Sequence, residues 1–434
     1  MNFAEAQSYL FSLGNEVETM KLGLENITAL LAALGEPQNK YKKVQVAGTN
    51  GKGSVCAFLD SICREAGIRT GLYTSPHLVS ITERVKINGM DIDEDEFARL
   101  ATRIRETAES LLAEGQLAYR PTFFEQVTAI SLLAFAEHNV ELAILETGLG
   151  GRYDAVTAAN AEIAAITRID LDHQEYLGDT IEEIAAEKAA IIRQDSVVVI
   201  GDQSEIPLGV IHERCRKVDA VLHSDVYTPW RVQPVDSESV LVETYQYNYL
   251  EVKLGLLGAH QIENARTAVN IAQALEMELG FKIEDTHAIV GGLEYARHPG
   301  RLECIGGFLL DGAHNPAGAR ALAEYLREFV RSPITLIFGA MREKAVDEIA
   351  ETLWPLAEKV VLTQPSNSRA LTAEDLVQAR PESFDERNVT KTDTVEEAIE
   401  KARVVAPDGG VIVVTGSLYL VGEVRKALLA NRDI

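Results

Sequence analysis

Cysteine is scarce in this chain: only Cys56, Cys63, Cys215 and Cys304 occur among 434 residues. No Cys-x-x-Cys spacing is present, so neither a thiolate zinc site nor a disulfide framework is suggested. The scatter suits a reducing, cytoplasmic setting, with Cys56 and Cys63 as small core residues. Basic charge is also short, with 41 Lys and Arg against 66 Asp and Glu and a formal charge of −25. A nucleic-acid or anionic-membrane binder needs a basic face, so neither partner is expected. An anionic small molecule remains open, because a few placed lysines and arginines set the local field. No apolar run approaches the ~20 residues of a membrane span. No basic-then-apolar signal pattern opens the chain, and no repeat or low-complexity tract interrupts it.

What is there is an alternation of short apolar runs and helical periodicity. Residues 3–34 read as helix, with Leu24, Ile27, Leu30, Leu31 and Leu34 on one stripe. Strand candidates follow at Val44–Val46, Thr70–Thr74, Leu142–Leu145, Ile163–Ile169 and Val197–Ile200, with a long charged helix over Asp91–Glu114. Period-two alternation at Val240, Val242 and Tyr245 suggests a hairpin insert, and a helix over His260–Leu279 comes next. After Arg297-His-Pro-Gly-Arg301 the rhythm restarts, with strands at Phe308–Leu310, Ile334–Phe338, Val360–Thr363 and Val411–Thr415. The expected fold is α/β: a P-loop, mostly parallel sheet domain over residues 1–298, flanked by helices. A smaller Rossmann-like α/β domain over 299–434 follows.

The chemistry-bearing residues cluster where strands end, which is where such sheets bind ligands. Ala47-Gly-Thr-Asn50-Gly51-Lys52-Gly53-Ser54 joins a strand to an amphipathic helix, the layout of a phosphate-binding loop with Lys52 reaching outer phosphates. The pattern is irregular, since the usual hydroxyl position after the lysine holds Gly53, and a plain Gly/Asn turn also fits. Ser75, Glu146 and His173 fall at other strand ends; Glu146 reads either as a Mg²⁺ ligand or as a charge beside the Gly-rich turn that follows, and His173 either as a ligand or as a structural side chain. Thr122-Phe123-Phe124-Glu125 has capping-box spacing. Lys188 lies on the apolar stripe of the helix after Thr180, so it must snorkel, pair or be modified. Asp311-Gly-Ala-His314-Asn-Pro316 ends a strand of the second domain, where it either caps a helix or faces a cleft between domains.

Taken in order, these blocks resemble the folylpolyglutamate synthase/dihydrofolate synthase family of Mur-type amide ligases. Further matching blocks are Gly71-Leu-Tyr-Thr-Ser-Pro-His-Leu78, Glu146-Thr-Gly-Leu-Gly-Gly-Arg152, Leu171-Asp-His-Gln-Glu-Tyr-Leu-Gly178 and Glu187-Lys-Ala-Ala-Ile-Ile192. Gly258-Ala-His-Gln-Ile-Glu-Asn264, Pro299-Gly-Arg301 and Thr415-Gly-Ser417-Leu-Tyr419 complete the set. The resemblance implies that Asn50, Gly51, Lys52, Gly53 and Ser54 bind ATP phosphates, with Asn264, Arg301 and Asp311 also on ATP. It implies Mg²⁺ on Ser75, Glu146 and His173, and a second Mg²⁺ on a carbamylated Lys188. Thr122 to Glu125 would line the pterin loop, Arg152, Asp154 and Ser417 would serve the substrate side, and Asp311 and His314 would lie near glutamate. The implied reaction is acyl-phosphate formation from a folate or dihydropteroate carboxylate, then displacement of phosphate by L-glutamate in a closed, monomeric enzyme. A Mur ligase acting on a nucleotide sugar usually carries a domain before the loop, for which the preceding ~45 residues are too short. A P-loop binding protein without ligase chemistry is the more distant alternative. The chain departs from the family at Tyr153-Asp154-Ala-Val-Thr157, where Leu-Asp-Ala-Thr-Asn is usual, and at Asp170 and Ala190, where glycine is usual.

Overall fold

The computed structural model describes residues 1–14, 23–223, 231–236, 238–243, 249–283 and 286–430. The chain divides into two compact units, Met1–Gly255 with Gln261–Arg297, and Leu256–His260 with His298–Ile434.

The first unit is built on eight strands: β1 (Lys42–Ala47), β2 (Thr70–Tyr73), β3 (Val85–Ile87), β4 (Met90–Asp91), β5 (Leu142–Glu146), β6 (Ile163–Ile166), β7 (Val197–Ile200) and β8 (Val221–Leu222). Their order is β4-β3-β2-β5-β1-β6-β7-β8, parallel except for the β3 and β4 additions. Consecutive strands β1 and β2 are separated by β5, so the order reverses around β1, the position where open α/β sheets bind ligands. Strand β1 is central, and Val44, Gln45, Val46 and Ala47 are all buried. A small antiparallel sheet, β9 (Arg231–Pro234), β10 (Ser239–Glu243) and β11 (Tyr249–Lys253), forms the insert. It has three strands where alternation suggested a hairpin; Tyr245 lies outside the described residues.

Two other expectations are corrected. Among its described residues the first helical stretch is two helices, Phe3–Ser12 and Glu25–Ala33. Gly14 (φ 100°) and Gly23 (φ 144°), in backbone that L-residues avoid, mark the end of one and the approach to the next. Strand β6 stops at Ile166 rather than Ile169, because Thr167 turns its hydroxyl onto the carbonyls of Ala47 and Asn50. The long charged helix is Glu94–Ala113, with the Asp93 carboxylate accepting from Asp95 and Glu96 N–H groups.

Helix Lys52–Glu65 springs from the glycine loop and packs on helix Thr286–Tyr295. Their approach depends on Gly292, where a Cβ would lie 2.4 Å from Ile62 Cα. Gly292→Ala is therefore expected to destabilise the protein by about 2 kcal/mol through overpacking. Gly291→Ala, whose nearest neighbour is the flexible Glu65 side chain at 3.4 Å, should be tolerated. Urea midpoints of the two variants check this, and equal midpoints would refute it.

The second unit has one sheet, in the order β12 (Glu303–Ile305), β13 (Phe308–Leu310), β17 (Val411–Thr415), β14 (Ile334–Phe338), β15 (Lys359–Leu362) and β16 (Val389–Lys391). All pairs are parallel except β12 with β13. Strand β17 returns between β13 and β14, which makes a second reversal at the end of β13. Cys56, Cys63 and Cys215 are buried thiols and Cys304 is exposed. Among the described residues no helix is long and apolar enough to cross a membrane.

Candidate active site

The loop after β1 is held from beneath before any ligand is considered. Thr49 and Asn50 N–H groups donate to Arg168 O at 2.9 and 3.3 Å, and Thr167 Oγ1 donates to Asn50 O at 2.8 Å. Thr49 Oγ1 and Asp170 exchange two further bonds, at 2.9 and 3.0 Å. Gly51, at φ 89°, starts the helix in a left-handed conformation, and a Cβ there would meet Asn264 Oδ1 at 2.3 Å. Asn264 is thus packed against the loop, with its amide donating to Gln261 Oε1 at 2.9 Å. Lys52 Nζ folds back onto Gly48 O at 3.0 Å and Thr49 O at 3.1 Å. Ser54, within the first turn of the helix, is buried.

Register places Glu146 opposite Val46, one residue before Ala47, and it is buried at the end of β5. Its Oε2 accepts from Ser75 N–H at 3.0 Å, so these two predicted neighbours meet. His173 is reached through a loop rather than directly from β6. It takes φ 52° at the start of the short helix Gln174–Leu177, with Nε2 3.8 Å from Asp172 Oδ2. Among the described residues no three His, Cys, Asp or Glu side chains gather as a metal cluster. The carboxylate of Glu146 and the hydroxyl of Ser75 are donors that suit a hard cation completed by phosphate oxygens and water.

Thr122 caps helix Phe123–Glu137 through a capping box with Glu125, as its spacing implies. Phe123 is buried beneath the Arg84 guanidinium, 5.3 Å from the ring centroid, and Phe124 packs edge-on to Tyr73. Phe124 also fills the space a Cβ at Gly148 would need, at 2.3 Å, which explains that glycine.

The glycine-rich segment that follows Glu146 is gathered by Asp154. Its carboxylate accepts from the N–H groups of Gly148, Leu149 and Val156 at 2.9, 3.0 and 3.0 Å. Burial pushes its pKa up to about 6, against those three bonds and the Lys52 charge. Arg152 is exposed and pairs with Glu187 at 2.7 Å, and its N–H donates to Glu187 O at 3.1 Å.

Lys188 does not snorkel. It is buried in helix Ile181–Ala189, and its Nζ donates to Gly48 O at 2.9 Å, sharing that carbonyl with Lys52. Burial, reinforced by the Lys52 ammonium, pulls its pKa down to about 7, while Asp172 and Asp154 act in the opposite direction. An amine that is substantially neutral at physiological pH is nucleophilic.

In the second unit Asp311 is buried at the end of β13. Its two oxygens accept from Leu302 N–H at 3.1 Å and Ala313 N–H at 3.0 Å. Burial raises its pKa, opposed by Arg301 and these bonds. His314 Nδ1 lies 2.8 Å from Gly312 O, and Asn315 caps helix Pro316–Phe329 by accepting from Gly318 N–H. The β17 end sits beside this segment: Gly416 N–H donates to Ala313 O at 3.0 Å, and buried Ser417 accepts from Tyr419 N–H at 3.2 Å.

Sequence reasoning missed the supports: Thr49, Thr167 and Asp170 under the loop, and Gln45, Thr147 and Thr157 under the glycine segment. A hydroxyl directly after each of β5 and β6, at Thr147 and Thr167, was the available signal.

Residues 46–272 match the Mur ligase middle domain and residues 300–418 the Mur ligase glutamate ligase domain. Fold and site together define a Mur-type ligase. The chain is 34% identical to dihydrofolate synthase/folylpolyglutamate synthase of Bacillus subtilis, over 94% of this chain and 95% of that protein. It is 35% identical to a probable bifunctional folylpolyglutamate synthase/dihydropteroate synthase of Haloferax volcanii, covering 98% of this chain but spanning only 50% of that longer protein. Among solved structures, Mycobacterium tuberculosis folylpolyglutamate synthase complexed with ADP superposes with a TM-score of 0.89 at 32% identity, covering 98% of both chains. A bifunctional folylpolyglutamate synthase/dihydrofolate synthase with Mn, AMPPNP and L-glutamate bound gives 0.82 at 28% identity, covering 99% of this chain and 98% of that one. The chain belongs to the folylpolyglutamate synthase/dihydrofolate synthase family.

Proposed function

We propose that this protein is a monomeric, ATP-dependent ligase joining L-glutamate to the carboxylate of a folate, with dihydropteroate as a second acceptor. The observation that carries the reading is the buried Lys188 amine, delivered to the carbonyl of the phosphate loop beside Lys52. A loop serving simple nucleotide binding has no need of a second, desolvated lysine there.

In this reading the N–H groups from Gly51 to Ser54 and the Lys52 ammonium hold the ATP phosphates, with Asn50 beside them, at the positive end of helix Lys52–Glu65. Ser75, Glu146 and His173 would hold one Mg²⁺. The neutral Lys188 amine would add CO₂, forming an N–C bond and releasing a proton, and the resulting carbamate would hold a second. Bound Mg²⁺ supplies positive charge that offsets repulsion between triphosphate and carboxylate. The acceptor carboxylate oxygen attacks the γ-phosphorus and ADP leaves, giving an acyl phosphate. The glutamate amine then attacks the acyl carbon and phosphate leaves. Thr122 to Glu125 and the glycine-rich segment at Arg152 and Asp154 serve the acceptor. Arg301, Asp311, His314 and Ser417, in the unit that matches a glutamate ligase domain, serve nucleotide and glutamate.

Phosphate release from ATP and glutamate, with tetrahydrofolate and dihydropteroate supplied separately, tests the proposal. Stimulation by one or both is expected. Slow turnover indifferent to both would leave a P-loop ATPase and overturn it.

A further inference from the structure

Beneath the glycine-rich segment lies a buried polar chain to which the reaction above assigns no role. Gln45 sits in the middle of β1, between Leu145 of β5 and Ala164 of β6. Its Nε2 donates to Thr147 Oγ1 at 3.1 Å and to Thr157 Oγ1 at 2.8 Å. Thr157 Oγ1 donates in turn to Gly151 O at 2.7 Å. A carbonyl can only accept, so the Thr157 hydrogen points at Gly151 and its lone pair faces Gln45. That direction fixes which end of the Gln45 amide meets the threonines. All three side chains are buried, where an unmade bond is expensive.

Gly151 is the second half of the connection. A Cβ there would lie 2.7 Å from Glu187 O and 3.0 Å from Lys188 O, so its backbone rests directly on the helical turn carrying Lys188. The next residue, Arg152, donates its N–H to Glu187 O at 3.1 Å. Lys188 Nζ then reaches Gly48 O at 2.9 Å, three residues along the chain from Gln45. The contacts form a closed ring: Gln45, Thr157, Gly151, the Glu187–Lys188 turn, Gly48, and back to β1.

We propose that Gln45 and Thr157 are positioning residues, holding Gly151 at the height that sets Lys188 against the phosphate loop. The inference rests on the ligase reading of Lys188 for its effect on turnover, but not for its geometry.

Thr157→Val keeps the volume and removes both bonds, and Thr157→Ser keeps the oxygen. In Thr157→Val, kcat should fall about tenfold with KM for ATP within about twofold, because the phosphate loop keeps its own anchors at Thr167 and Asp170. Thr157→Ser should stay within about twofold of the wild type. In a Lys188→Ala background Thr157→Val should add no further loss, the signature of action through Lys188. Additive losses, or a loss in Thr157→Val when Lys188→Ala has none, would overturn the proposal. Amide hydrogen exchange gives a readout independent of turnover. Segments 148–152 and 186–190 should both exchange faster in Thr157→Val and not in Thr157→Ser. Loosening of the first with the second unchanged would overturn the proposal too. A wild type that releases no phosphate with folate and glutamate would instead sink the ligase reading, leaving the exchange result to decide the positioning.

Discussion

Lys188→Met should lose at least about 100-fold in ligase turnover and, at neutral pH, become harder to unfold. The loss follows from removing the amine that would carry the carbamate, a charge-stabilising group of the kind worth roughly 3 kcal/mol in a transition state. The gain in stability follows from the same burial that makes the residue useful. With its pKa down at about 7, the folded Lys188 releases a proton that the unfolded lysine still holds. Between about 7 and the unfolded value near 10.4 the unfolded chain therefore binds more protons, so the lysine's contribution to stability rises with pH across that window. At and below pH 7 the penalty is fully present. Methionine has no such proton, and Gly48 O keeps the Lys52 donor at 3.0 Å. The expected advantage is roughly 1–2 kcal/mol at pH 7, shrinking toward pH 10. Urea melts at pH 6, 7.5 and 9 in CO₂-depleted buffer, where the amine carries no carbamate, would show it, and a variant less stable at pH 7 than the wild type would contradict it. Wild-type activity should also decline as pH falls below about 7, as the amine takes up its proton.

That residue also shows how much the sequence could say. Periodicity placed Lys188 on the apolar face of its helix, and it is buried there. It could not say what the amine reaches, because Gly48 is 140 residues away in the chain. Strand ends were legible wherever a short apolar run met a glycine or carboxylate, as at Glu146, Asp311 and the Lys52 loop, which lie by the two points of sheet reversal. Gln45 was not legible. Between Val44 and Val46 it reads as the polar half of an alternating strand, yet β1 is covered on both faces and only 2% of Gln45 is exposed. The Ile163–Ile169 run looked continuous because Ile169 is apolar and buried. The chain leaves the sheet at Thr167 for a reason that periodicity does not encode, namely the carbonyls of the phosphate loop. His173 depends on that departure, since a loop carries it.

Lys52→Met is expected to lose about 10³-fold in kcat/KM for ATP while leaving the loop folded. The loop's shape does not depend on the lysine: Thr49 is tied to Asp170, Asn50 to Thr167, and Gly51 takes its left-handed turn against Asn264. The urea midpoint should therefore shift by less than the equivalent of about 1 kcal/mol. Lys52→Arg should not rescue, because a planar guanidinium cannot replace a compact ammonium at the end of this tight turn. A second consequence separates Lys52 from an ordinary phosphate-binding lysine. Its charge helps to hold the Lys188 pKa down, so removing it lets that pKa rise and leaves less neutral amine at pH 7. Activity remaining in Lys52→Met should thus depend more steeply on added bicarbonate than wild-type activity does. Identical bicarbonate dependence in the two proteins would mean that the lysines, though they share one carbonyl, act separately.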